Sequence, residues 1–208
     1  MGQLLFYQQT HQYERDGVRV PSVSEIMRFA SREVYGNVDQ YHLDNAADRG
    51  SRIHAACQAL DETGTADIDS DIEPYIRHYI QFIKDYAPQY VAIEMPLLHE
   101  SDWYAGTLDR VAILPPRGKI PAGSAIIDIK SSYRVESRLA SAQLTAYAHL
   151  WQQFTGHFPG AQYILHLTPT GYKLRRFERD DASWNALLTI HNRFLKRGEF
   201  DPWKARKL

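Results

Sequence analysis

The chain has 208 residues, 24 Lys plus Arg against 25 Asp plus Glu, 44% hydrophobic and 24% charged residues. That suffices for one domain with a sizeable core, and no apolar run approaches a membrane span. A net charge of −1 argues against a general polyanion binder, and the lone Cys57 excludes an intrachain disulfide and fits a reducing cytoplasm.

The opening Met1 to Tyr7 has neither a basic region nor a long apolar stretch, so it does not read as a secretory signal. Ser22 or Ser24 can cap a helix running towards Tyr35. A second helix is expected from about Asp44 to Leu60, ending near Asp61-Glu-Thr-Gly64, with His54 one turn past Gly50. A third runs from Ile72 to Tyr86, where Ile72, Tyr75, Ile76, Tyr79, Ile80 and Ile83 recur at helical spacing as a core stripe. This makes residues 1–88 a helical N-terminal part.

Tyr90 to His99 and Trp103 to Leu114 read as strands around a tight Ser101-Asp102 turn. The register of a two-residue turn sets Glu94 opposite Asp109. Pro115 to Gly123 is a loop rich in proline and glycine, and a strand folding back symmetrically after it sets Asp109 opposite Asp128. Asp128 and Lys130 then share one face, roughly 6.5 Å apart, while Ile127 and Ile129 face the other way. A strand-edge salt bridge is the plain alternative for an isolated Asp-x-Lys. Three acids in one row repel one another, so the row asks for a cation, and oxygen ligands suit magnesium or manganese. An acid able to hold a metal, with an ammonium beside it, suits attack on a phosphodiester.

Ser137 to Phe154 is a strong helix with Ala140, Gln143, Tyr147, Leu150 and Phe154 on one stripe. A glutamine buried there needs a partner. Gln162 to Leu167 and Tyr172 to Phe177 form a last hairpin, and Ala182 to Arg197 a C-terminal helix, with Trp184, Leu187, Leu188, Ile190 and Leu195 towards the body. Basic residues gather at Lys173, Arg175 and Arg176 and in a tail that includes Lys204, Arg206 and Lys207. The expected fold is α/β, an α+β arrangement with a mixed sheet: a three-strand antiparallel meander, a crossover helix, further strands and N-terminal helices. Residues 89–178 carry the sheet and helix of the site, and 182–208 the C-terminal helix and basic tail, all in one domain spanning 1–208.

Gly106-Thr-Leu-Asp109, Asp128-Ile-Lys130 and Gln143-Leu-Thr-Ala-Tyr147, with Arg49-Gly-Ser-Arg-Ile-His54 and Val20-Pro-Ser-Val-Ser-Glu-Ile26 upstream, resemble the PD-(D/E)XK nuclease superfamily. More narrowly they resemble its RecB-type exonuclease branch, over roughly residues 18 to 175. The resemblance implies a restriction-endonuclease-like core. It implies metal ligation by His54, Asp109, Asp128 and the Ile129 carbonyl, with Glu94 in the outer shell. Lys130 would orient or help deprotonate the attacking water, and Gln143 and Tyr147 would steady the site or touch nucleic acid. One cysteine cannot hold the iron–sulfur cluster that several branch members carry.

The implied activity is Mg²⁺- or Mn²⁺-dependent hydrolysis of DNA. An exonuclease on single-stranded or end-bearing DNA is the leading expectation, in recombination or repair, in a bacterial or phage-infected cytoplasm, with a recombination or replication protein as partner. A structure-selective endonuclease, a catalytically inactive DNA-binding protein and a hydrolase of other phosphate esters are the alternatives. Arg49, Arg52, Arg134 and Arg138 flank the site in sequence and are the expected DNA contacts. Pairing with Asp48, Glu136 and other surface acids is the alternative for them.

Overall fold

The computed structural model describes residues 3–7, 10–36 and 39–196. Lys204, Arg206 and Lys207, together with Arg197, lie outside the described residues. No described helix is long and apolar enough to cross a membrane.

The N-terminal part is not all helical. Strands β1 (Leu4–Tyr7), β2 (Gln12–Arg15) and β3 (Val18–Val20) form an antiparallel sheet in that order. The sequence carries the reason at Asp16-Gly17. Both adopt left-handed backbone (φ 52° and 76°) between the paired Arg15 and Val18. Asp-Gly is the favoured pair for such a two-residue hairpin loop.

Helix α1 (Val23–Ile26) starts on a capping box in which Ser22 Oγ accepts from the Glu25 amide and the Glu25 carboxylate accepts from the Ser22 amide. The chain turns at Met27 into α2 (Arg28–Tyr35), so the segment to Tyr35 is two helices. Helix α3 (Gln40–Thr63) begins earlier than expected, because Asp39 caps it, and ends on left-handed Gly64. Arg49-Gly50 therefore lies inside a long helix. Helix α4 (Glu73–Tyr86) buries Tyr75, Ile76, Tyr79 and Phe82.

The main sheet has five strands in sequence order: β4 (Gln89–His99), β5 (Tyr104–Leu114), β6 (Gly123–Lys130), β7 (Ala161–Thr168) and β8 (Gly171–Phe177). All pairs are antiparallel except β6–β7, which are parallel across α5 (Ser137–Thr155). This is the expected mixed α/β sheet. Its first hairpin differs in detail. The ladder closes at His99–Tyr104, with residues 100–103 as the turn and Trp103 left-handed (φ 54°), so the register survives a longer loop.

Alternation along β6 splits the core. Ile126 joins the cluster of α1, α5 and the C-terminal helix α6 (Asp181–Lys196), while Ile127 and Ile129 join that of α3 and α4. The stripe on α5 is buried at Ala140, Tyr147 and Leu150 but leaves Phe154 59% exposed, past the sheet's cover. On α6, Trp184 and Leu188 are buried.

One charged residue sits in this core. Arg110 on β5 is 1% exposed; its Nε donates to Asp61 of α3 at 2.6 Å and its Nη1 to Glu94 of β4 at 2.9 Å. Tyr79 of α4 also donates to Asp61, so the Arg110–Asp61 pair ties two helices to two strands. Removing one member of a buried ion pair typically costs about 3–5 kcal/mol, because the other charge stays buried unpaired. Arg110→Met is expected to lower unfolding free energy by about that amount. Urea denaturation checks this, and a loss below about 1 kcal/mol, the worth of a surface pair, would show that the network does not hold the two layers together.

Candidate active site

Two strand registers assemble the acids. Ile93–Arg110 and Met95–Leu108 are paired, which sets Glu94 across from Asp109. Arg110 pairs with Ile127, so the next step of that register sets Asp109 beside Asp128. Beyond this point the Asp109 carboxylate takes over from the backbone ladder: its Oδ2 accepts from the Ile129 amide at 2.7 Å. Glu94 departs from the pleat at φ 44°, and its Oε1 meets both Arg110 and His54.

His54 comes from α3. Its Nε2 lies 3.0 Å from the Ile129 carbonyl, and its Nδ1 lies 3.6 Å from Asp109 and 3.7 Å from Glu94. One ligand atom from each of His54, Glu94 and Asp109 falls within 4.8 Å of the others, an arrangement able to hold a metal ion. Glu94, expected in an outer shell, thus stands in the same cluster as His54 and Asp109. Asp128 stands beside this trio, 1% exposed, with Lys130 Nζ 2.8 Å from its Oδ2. Neither Asp128 oxygen has a partner in hydrogen-bond geometry. Lys130 offsets the charge from the Oδ2 side only; an Oδ1 left buried without a partner is costly, and a second cation would relieve it. The donors of the cluster are carboxylates, one imidazole and one carbonyl, a set that fits a hard divalent ion with some nitrogen affinity.

The electrostatics follow from that crowding. Burial would lower the His54 imidazole, but Asp109 and Glu94 outweigh it and raise it from 6.5 to about 9. Burial pushes the Asp128 carboxyl up, with Lys130 opposing and Asp109 adding to the rise. For Lys130, burial is outweighed by Asp128 and Asp109, so the amine is held as an ammonium. Burial, Asp128 and Asp109 keep the Tyr147 phenol neutral.

Helix α5 brings the last pair. Gln143 Nε2 donates to Tyr147 Oη at 2.9 Å, which gives the half-buried glutamine the partner its position demands. Gly106 makes this approach feasible. A Cβ there would lie 2.9 Å from Tyr147 Cε1 and 3.1 Å from Leu150 and Val23 side chains. His54, Glu94, Asp109, Asp128, Lys130, Gln143 and Tyr147 line one cavity of ≈ 800 Å³, in which Lys130 is the only Lys or Arg among the described residues.

The four arginines do not converge on it. Arg52 is engaged by Asp48, Asp69 and Asp71, and Arg49 lies over the Tyr75 ring at 5.7 Å. Arg134 is exposed, 3.7 Å from Glu136, and lines a recess of ≈ 150 Å³ that shares Lys130, Ser132 and Gln143 with the main cavity. Arg138 is exposed at the start of α5. Sequence reasoning missed Arg110 and Asp61. The signal was an arginine at the inward parity of an apolar strand, with Ala112 and Leu114, which requires a buried acid. It also missed Tyr13, buried beside the cavity, whose hydroxyl shares a 2.7 Å hydrogen bond with Thr107 of β5.

No known protein family matches this sequence, and no curated protein matches it. Solved structures similar to the chain include an alkaline exonuclease of Laribacter hongkongensis (16% identity over 72% of this chain and 84% of that one, TM-score 0.38). A protein designated SSO0001 has 14% identity over 70% of this chain and 73% of its own, at 0.38. A candidate exonuclease of Eubacterium rectale has 15% identity over 85% and 68%, at 0.39. At such identities and scores these likenesses say nothing about chemistry, which rests on the side chains.

In the metal-free protein His54 carries a proton at neutral pH, and a cation entering beside it must displace that proton. Metal affinity is therefore expected to climb about tenfold per pH unit below about 9, with close to one proton released at pH 7. Manganese titration calorimetry in buffers of different ionisation enthalpy measures the release, and His54→Gln should abolish it. The sign for folding is opposite. A raised His54 stabilises the metal-free protein below pH 6.5, and that contribution is lost as pH rises through about 9.

Proposed function

We propose that the protein is a Mg²⁺- or Mn²⁺-dependent deoxyribonuclease that hydrolyses phosphodiester bonds, acting as an exonuclease on single-stranded or end-bearing DNA. The observation that carries this reading is the buried Asp128 carboxylate, paired through Oδ2 with the Lys130 ammonium and left without a partner at Oδ1, next to the His54–Glu94–Asp109 cluster. An ion pair built only for stability would satisfy both carboxylate oxygens. This one leaves Oδ1 without a partner in a residue that lines the cavity.

The residues divide the work as follows. His54, Glu94, Asp109, Asp128 and the Ile129 carbonyl would hold the cation. When bound, it offsets charge on the phosphate and makes a water more acidic. Lys130, kept as an ammonium, donates hydrogen bonds to the water oxygen or to a phosphate oxygen and does not accept a proton. The water oxygen forms a bond to phosphorus and loses a proton to solvent while the bond to the 3′ oxygen breaks; that oxygen takes a proton from solvent and leaves as a 3′ hydroxyl, and the other product carries the 5′ phosphate. Arg110 holds Glu94 in place from behind, and the Gln143–Tyr147 pair offers neutral donors to the nucleic acid. Arg134 and Arg138 would meet phosphates at the rim, where contacts fix position without reading bases. Recombination or repair in a cytoplasm is the setting that the motif resemblance suggests.

End-labelled single- and double-stranded DNA incubated with magnesium, manganese or EDTA tests the reading. Metal-dependent shortening from an end supports it, and intact substrate under all conditions overturns it. Asp128→Asn and Lys130→Met are each expected to cut the rate by roughly 10²–10³, the worth of one preorganised transition-state contact. Either variant retaining near wild-type cleavage would count against the assigned roles. Arg134→Ala/Arg138→Ala should weaken binding in calcium and lower the salt slope by about one per lost contact; an unchanged slope would place the nucleic acid elsewhere.

A further inference from the structure

The cavity has a wall that the catalytic assignment does not use. Phe6 of β1, with His11 and Tyr13 from the same hairpin, lines it together with the acids. The Phe6 and Tyr13 rings stack at 4.8 Å and 22°, and His11 stands edge-on to Phe6 at 5.7 Å and 65°. Tyr13 is 4% exposed, and its hydroxyl is tied to Thr107, two residues before Asp109 on β5. The aromatic wall is therefore fixed to the strand that carries a site carboxylate, about 7 Å along it.

We propose that this wall is a base-stacking subsite, in which Phe6, backed by Tyr13 and edged by His11, receives an unpaired nucleobase next to the phosphate at Asp109, Asp128 and Lys130. The proposal deepens the nuclease reading and rests on it for where the phosphate lies. Three features point to a single strand. A cavity of ≈ 800 Å³ lies in the range of small-molecule sites, room for one or two nucleotides and not for a duplex. Its other polar lining includes neutral groups such as Ser22, Ser131 and Gln143, so charge alone does not supply grip inside. Aromatic faces accept any base, which suits a strand read without sequence preference.

The packing alternative is that Phe6 only fills the small cluster of Tyr13, Val20 and Ala105. Leucine preserves that packing and removes the π-face. The test measures binding of a fluorescein-labelled single-stranded oligonucleotide in calcium, by fluorescence polarisation, for wild type, Phe6→Leu and exposed His11→Ala. The same oligonucleotide carrying one abasic residue at successive positions is the second probe. Phe6→Leu is expected to weaken binding roughly five- to hundredfold with an unchanged melting temperature. One abasic position should weaken wild type by a similar factor and cost Phe6→Leu nothing further. Unchanged binding by folded Phe6→Leu, or an abasic scan of wild type with no sensitive position, overturns the subsite. Because the readout is binding, a protein that shows this pattern but never cleaves would sink the nuclease reading alone. One that cleaves without it would sink the subsite alone.

Discussion

The constraint on which this structure turns is the burial of like charges at one end of a sheet. Registers of β4, β5 and β6 force Glu94, Asp109 and Asp128 towards one another. Carboxylates opposed in a sheet repel, and inside a protein the repulsion is poorly screened. Each neighbour in the site answers that excess. The Ile129 amide donates to Asp109, Lys130 faces Asp128, and protonated His54 sits between Asp109 and Glu94. What is left over is Asp128 Oδ1, which has no donor, and a further cation is the natural means of closing the account of charge.

The same excess explains features that look separate. Glu94 adopts a left-handed backbone within β4, a conformation that costs a non-glycine residue energy, and in it the carboxylate meets Arg110 and His54 together. Arg110 faces the core of α3 and α4, away from the cavity, and is held by Asp61 and Tyr79. The site is therefore gripped from both faces of the sheet. Helices α3 and α4 deliver His54 and fix Arg110, while α5 delivers Gln143 and Tyr147 through the gap that Gly106 leaves.

The N-terminal sheet completes the enclosure. It joins the main sheet through Ala105, whose amide donates to the Pro21 carbonyl at 2.9 Å, and through Tyr13 on Thr107. Both contacts fall on β5, within four residues of Asp109. A small sheet that would be marginal alone is thus stabilised by docking on the strand it helps to frame, and it places aromatic rings where the cavity opens.

The mixed sheet, the crossover helix and the rows of the acids were legible in the amino-acid order, because alternation in β6 and the hairpin register are local properties that a few residues specify. It also carried Gln143 and Tyr147, one helical turn apart. Its reading of residues 1–88 as a helical part holds the helices from Val23 onward but did not take in Asp16-Gly17, the turn that sets β2 against β3. Meetings between distant segments came only with folding: Asp61 with Arg110, Tyr13 with Thr107, and Arg52 with Asp69 and Asp71. Such pairs depend on how α3 and the N-terminal sheet settle on β5, and no periodicity within either segment encodes the partner. The basic flank shows the same limit. Sequence proximity put four arginines near the site, and packing turned Arg52 to the acids beside it and Arg49 to Tyr75, because a charged side chain takes the nearest partner that folding supplies.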